Sequence, residues 1–394
     1  CLLIGLLSLL IIGKTNAQVC RVSVNGTSSA SGASWQQTKD LQSALNSPAQ
    51  CTEIWVKSGT YYPTAGTDRD ISFTIKHNVK LYGGFYGTET TRSQRDPINN
   101  KAVLSGNIGS PSDSIDNSRR VIHMFSDSAG TDIGTSTKID GFIIRDGHSY
   151  SSNGAGMSCI AISDGWCEPN IHNVDFVSNF AQNGGAIYLF ADDGRRSQPN
   201  FVNVRFISNR AFSYTQGHGD GGAVYIDTGN TGNSQVNPFF HKNEFLNNMA
   251  QDQGGAIYNS SNNDGEVHMP VAYSTFSGNS AKLGGAIANE SHNYSELIIY
   301  NSTFYNNSAE TGGAIYDGDY RHTTDLNNVT LADNSASVSG GAIHNVHYNL
   351  HINNSILWGN TAPLGSQITL DDADVRAYYL SLIHISEPTR RHLI

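Results

Sequence analysis

Two short strings hold the side chains best suited to chemistry. One is Asp192-Asp193 with Arg195 and Arg196 beside it, and the other is Gly217-His218-Gly219-Asp220. Two carboxyl groups flanking one glycosidic bond, roughly 5–10 Å apart, are the equipment of glycoside hydrolysis. Acidic groups holding calcium beside a basic residue would instead serve eliminative cleavage of an acidic polysaccharide. Asp317, Asp319 and Asp325 are further candidates for calcium, although solvated loop acids give the same pattern. His344, His347 and His351 have a spacing that aligns on a helix but not across a turn and strand, which argues against a metal site.

Whether these groups meet depends on the elements that carry them, and those elements repeat. Gly-Gly-Ala-Ile-Tyr at Gly184 returns, with small changes, at Gly221, Gly254, Gly284, Gly312 and Gly340, at spacings of 37, 33, 30, 28 and 28 residues. A second element, Phe/Leu-x-x-Asn-x-Ala, occurs at Phe176, Phe206, Phe245, Phe276, Phe304, Leu331 and Leu357. The apolar runs between them, such as Leu297-Ile298-Ile299-Tyr300, are short, β-branched or aromatic, and bounded by Gly or Asn. Helical repeats of similar period need long amphipathic segments, and these are absent.

Strands too short to bury their own faces must stack coil on coil, each adding about 4.8 Å along an axis. The fold expected is all-β: a single-stranded right-handed parallel β-helix, a solenoid with a short N-terminal capping helix. The Phe/Leu residues and the column Ile187, Val224, Ile257, Ile287, Ile315 and Ile343 point inward. The signature Asn is expected at a left-handed bend, with its amide reaching the neighbouring coil. Gly pairs and Ala allow tight corners and close approach. These residues build the fold.

Register then tests the chemistry. Asp192 lies eight residues after Gly184 and His218 three residues before Gly221, an offset difference of 11 that places them on different sides of the coil. The pair resembles polygalacturonase-type glycosidases, but the Asn-Thr-Asp and Arg-Ile-Lys strings of that family are missing. Six residues past each Gly-Gly start stand Phe190, Asp227, Ser260, Glu290, Gly318 and Val346, with no two adjacent coils acidic. Strand alternation turns Tyr188, Tyr225, Tyr258 and Tyr316 outward, an aromatic ladder suited to stacking on sugar rings or to packing for stability. Loops of unequal length after each Gly-Gly-Ala-Ile are the other place for recognition.

The chain has 394 residues, a net charge of −10 and only 15% charged residues, which argues against nucleic acid or an anionic membrane as partner. Gly (40) and Asn (39) are abundant, as a turn-rich architecture requires. Residues 1–17, apolar from Leu2 to Ile12 and ending in Thr15-Asn16-Ala17, read as a partial secretory signal peptide, so no transmembrane helix is expected in the mature chain. Four cysteines remain: Cys20, Cys51, Cys159 and Cys167. Two disulfides are possible in three connectivities, the local pairs being simplest. We divide the rest into an N-terminal cap (18–52), first β-helix coils (53–170), truncated repeat coils (171–379) and a tail (380–394). Leu380 to Arg390 resembles a translated sequencing adapter.

The Phe-x-x-Asn and Gly-Gly-Ala-Ile pair resembles the repeat of chlamydial polymorphic outer membrane proteins and of many exported right-handed β-helix proteins, often from Bacteroidetes-type bacteria. Ser34-Trp35 with Leu41 to Leu45, Glu53 to Pro63, Lys80 to Glu89, Arg95-Asp96 and Ile139 to Ile144 resemble the first part of the latter. The resemblance implies a secreted or outer-membrane, cell-surface bacterial protein with a structural, adhesive or carbohydrate-binding role. Polysaccharide or cell-surface ligands would be its partners. No cofactor is implied, calcium being the one candidate. The alternative is a lyase or hydrolase of the pectate-lyase-like β-helix type.

Overall fold

The computed structural model describes residues 18–214, 219–261, 265–290, 294–318, 322–346, 349–371 and 375–383. The expected signal peptide, His218, Asp319, His347 and most of the adapter-like tail lie outside these residues. Of that tail, Ser381–Ile383 is described and pairs in parallel with Ile356–Trp358.

One coil shows how the chain winds. Val224–Thr228 is followed by Gln235–Val236, Phe239–His241, Glu244–Leu246 and Met249–Ala250, and Gly254-Gly255 then leads back to Ile257–Ser261 above the start. Every strand pairs in parallel with its counterpart one coil away, Val224 with Ile257 and Phe206 with Phe245. Ten strands from Phe73–Thr74 to Ile368–Leu370 form one long sheet, and a 21-stranded sheet covers the opposite side. Short three- and two-stranded sheets fill the corners. The fold is a parallel β-helix.

The core runs along the axis. Phe176, Phe206, Phe245, Phe276 and Phe304 are fully buried and stack with ring centroids 4.4–5.4 Å apart and planes within 7°. Leu331 and Leu357 continue the column. Burying each ring or Leu contributes about 1.5–3 kcal/mol. The Ile/Val column from Ile187 to Ile343 is likewise fully buried.

The asparagine column departs from the sequence expectation by one position. The left-handed residue is the one before each signature Asn: Ser178, Ser208, Asn247, Gly278, Asn306, Asp333 and Gly359, with φ of 53–65°. The signature Asn itself is buried, and its amide runs a ladder along the axis. Nδ2 of Asn179, Asn209, Asn248, Asn279, Asn307 and Asn334 each donates to Oδ1 of the next Asn at 2.9–3.0 Å. Here a buried polar side chain is stable because all its hydrogen-bonding capacity is met. The second Gly of each pair has a steric reason: a Cβ on Gly255 would lie 2.1 Å from the Gly285 carbonyl oxygen.

At the N-terminal end, Asp40 accepts a hydrogen bond from the Ser43 N–H (2.9 Å) and caps the helix Leu41–Leu45. Leu41, Ala44 and Leu45 bury against the first strands. Disulfides join Cys20 to Cys51 (Cα–Cα 5.2 Å) and Cys159 to Cys167 (5.7 Å).

Candidate functional site

The outer face of the ten-stranded sheet carries the four tyrosines singled out from sequence, with His344 beside them. Inward Ile187, Leu189 and Ala191 alternate with outward Tyr188 and Phe190, and in-register pairing carries this along the sheet. One outward column therefore reads His123, Ser158, Tyr188, Tyr225, Tyr258, Ala288, Tyr316, His344.

The open tyrosine ladder requires correction. Tyr188, Tyr225 and Tyr258 stack on one another, with centroids 5.6 Å apart and planes 6–11° from parallel. Tyr258 is only 7% exposed, and Tyr188 and Tyr225 are half-buried. Tyr316, separated from them by Ala288, stacks on His344 at 5.6 Å. Coil spacing near 4.8 Å lets identical rings lie face to face. The faces between Tyr188, Tyr225 and Tyr258, and between Tyr316 and His344, are occupied by other rings.

The stack is bordered by acids. Tyr188 donates to Asp227 (2.8 Å), and Tyr258 and Gln253 donate to Glu290 (3.3 and 2.8 Å). Burial, then the Asp227 charge, raises the Tyr188 and Tyr225 hydroxyl pKa values well above normal. Asp220 is 5% exposed and accepts from the Gln253 N–H at 3.1 Å. Burial, reinforced by the Asp252 charge, pushes its carboxyl up to about 8, so it holds a proton at neutral pH.

The other candidates are dispersed. Asp192 and Asp220 sit beyond opposite ends of paired strands. Asp192 accepts from the Thr231 N–H and hydroxyl (3.0 and 2.7 Å) and Asp193 from the same hydroxyl (2.8 Å). Arg195 pairs with Asp164 (2.9 Å), and Arg196 lies over Trp166 (4.7 Å). These bonds tie one turn to the next. Asp317 faces the core, where Asn289, Asn345 and Thr324 donate to it at 2.8–3.0 Å. Asp325 pairs with His351 (2.7 Å) and His344 with Asp371 (3.2 Å), so the described members of each trio, Asp317 with Asp325 and His344 with His351, hold separate partners. Among the described residues, no three His, Cys, Asp or Glu side chains group to hold a metal ion.

Two features were not read from sequence. Exposed rings stand on the outer side of the large sheet on two successive coils, Tyr273 (56% exposed) on one and Tyr300 (40%) with Tyr305 (38%) on the next, with His241 edge-on to Tyr273 at 5.4 Å. Tyr273 and Tyr300 fall outside the two repeat signatures and Tyr305 takes a variable position of one, and the pairing of Tyr300 with Ala272 and of Tyr305 with Ser277 sets their coils side by side. At the N-terminal end of the ten-stranded sheet, Arg120, His123 and Ser158 meet, with His123 Nδ1 3.3 Å from Arg120 and 2.8 Å from Ser158. They belong to first coils that lack the repeat signature.

Among the described residues no helix is long and apolar enough to cross a membrane. Comparison with curated proteins and with solved structures gave no match. Four segments, residues 244–260, 273–290, 301–317 and 328–346, match the Chlamydia polymorphic membrane protein (Chlamydia_PMP) repeat. Each spans a stretch from the buried Phe or Leu through the ladder Asn to the Gly-Gly corner and the following strand. The chain carries tandem repeats of the Chlamydia polymorphic membrane protein type, wound as successive coils of a parallel β-helix.

Proposed function

We propose that this chain is a surface-displayed, non-catalytic binding protein of a bacterium, and that it takes carbohydrate on the outer face of its large sheet. The observation that carries the reading is the set of exposed rings Tyr273, Tyr300 and Tyr305 on a rigid scaffold. Aromatic faces held at fixed spacing stack on the apolar faces of sugar rings with little ordering cost. The repeat match supports display at a cell surface, where such scaffolds meet neighbouring cells or their polymers. The bonding of Asp192, Asp193 and Arg195 within turns supports a non-catalytic role.

The experiment is a polysaccharide panel in affinity electrophoresis, with a parallel assay for chain cleavage. Retardation on a glycan, weakened about tenfold or more by Tyr273→Ala with Tyr300→Ala, is the expected result. Cleavage products would overturn the non-catalytic reading. The second reading, a hydrolase or lyase, is favoured by Asp220, a proton-holding carboxyl beside Tyr225 and near Glu290, as a general acid requires. Cleavage abolished in Asp220→Asn would establish it.

A further inference from the structure

We propose that the cleft formed by Arg119, Arg120, Ser72, Ser151 and Ser152 in the first coils is a binding site for an oxyanion, a carboxylate or sulfate. The cleft encloses about 260 Å³ and is also lined by Asp70.

The argument begins with Arg120. Its Nε and Nη2 donate to the carbonyl oxygens of Gly154 (3.3 Å) and Asn153 (3.0 Å), and its Nη1 lies 3.3 Å from His123 Nδ1. A guanidinium only donates, so its contact with Nδ1, which also lies 2.8 Å from the Ser158 hydroxyl, favours a neutral His123 whose Nδ1 lone pair accepts. Consistently, burial and the Arg120 charge push the His123 pKa down to about 4. All three partners of Arg120 are thus uncharged. Among the described residues no carboxylate lies within ion-pair reach of it. A guanidinium has five N–H groups, so one on each Nη is left for a ligand.

The neighbouring arginines do not cancel this charge. Arg69 donates to the Asn117 and His148 carbonyl oxygens, both at 2.7 Å. Arg119 is paired with Asp70 at 2.9 Å, with both side chains well exposed. Buried charge is costly unless an opposite charge meets it, and the fork of Arg donors matches the geometry of carboxylate and sulfate. Asp70, Asp113 and Asp116 lie within electrostatic reach of Arg69 and Asp70 pairs with Arg119, which leaves Arg120, among the described residues, as the arginine of this cluster without a carboxylate.

The oxyanion is either a free inorganic ion or the acidic group of a glycan. Only the second source rests on the carbohydrate reading above. Titration calorimetry of the whole chain at low salt, with sodium sulfate in one arm and a galacturonate trimer in the other, separates them. Saturable binding is expected, weakened tenfold or more in Arg119→Gln and tightened in Asp70→Asn, which removes the competing carboxylate. Both substitutions lie on an exposed pair, so the fold is retained. A trimer tenfold tighter than sulfate assigns the site to an acidic glycan, and equal affinity assigns it to the free ion. Absence of saturable heat in both arms overturns the proposal, as does binding that neither substitution alters. The Tyr273 and Tyr300 variants keep this site, so failure of the carbohydrate reading leaves sulfate binding intact.

Discussion

The asparagine ladder makes a quantitative claim, and Asn279 at its centre tests it. Oδ1 of Asn279 accepts from the backbone N–H and the Nδ2 of Asn248 (2.9 and 3.0 Å). Its Nδ2 donates to the Phe245 carbonyl oxygen and to Asn307 Oδ1, both at 2.9 Å. Replacing Asn279 by Ala deletes four hydrogen bonds in a site closed to solvent. At about 1 kcal/mol each, with extra cost for partners left unpaired, the loss is about 3–5 kcal/mol. Asn279→Asp keeps the shape but sets an acceptor oxygen against the Phe245 and Asn307 acceptors. It should therefore cost more than Ala at neutral pH and recover as pH falls, because a protonated carboxyl regains one donor. In a solenoid the damage concentrates in adjacent coils, so hydrogen exchange at residues 276–280 is the assay, alongside urea unfolding. If both variants unfold within about 1 kcal/mol of the parent, or if Asp is the milder change, the ladder does not carry the load argued for it.

Gly285→Ala places a Cβ 2.2 Å from the Gly313 carbonyl oxygen and 2.7 Å from Ser308 backbone atoms, so the coils must part. A loss of about 3 kcal/mol or more is expected in thermal unfolding, against a much smaller one for Gly134→Ala, which meets nothing within 4 Å and needs no left-handed backbone. Asp220, with its folded pKa raised to about 8, holds a proton that the unfolded chain releases near pH 4. Its contribution is complete below pH 4 and is lost as pH rises toward 8, on the order of 1 kcal/mol per pH unit. Asn at this position should flatten that slope, whereas parallel stability curves would contradict the assignment. Cys20–Cys51 closes a longer loop (sequence separation 31) than Cys159–Cys167 (8). Paired Ser substitutions should cost about 4 and about 2.5 kcal/mol respectively, read from denaturant midpoints in oxidising buffer.

Architecture was legible in the sequence because every coil solves the same packing problem with the same residues. Phe245, Asn248 and Gly254-Gly255 recur as Phe276, Asn279 and Gly284-Gly285 since a large apolar side chain (Phe, or Leu at 331 and 357), an amide with two donors and an acceptor, and a residue without Cβ fit those places. Alternation also placed Tyr188, Tyr225 and Tyr258 on the outer side. Sequence pattern determined which side of the strand each residue takes, and with it the stacking of coil on coil.

What lies over an outward residue was decided by the tertiary structure alone. Tyr188, Tyr225 and Tyr258 close on one another because parallel pairing brings identical rings to within 5.6 Å, while Tyr273 and Tyr300 stay open. The left-handed bend moved one residue ahead of Asn because the ladder needs the Asn side chain inside, where its amide meets the next coil. Arg120, His123 and Ser158 came together without any repeat to announce them, through the pairing of Ile122–Ser126 with Met157–Ala161. Periodic residues reveal themselves through repetition. A site made once, from segments far apart in the chain, exists only when the coils are wound.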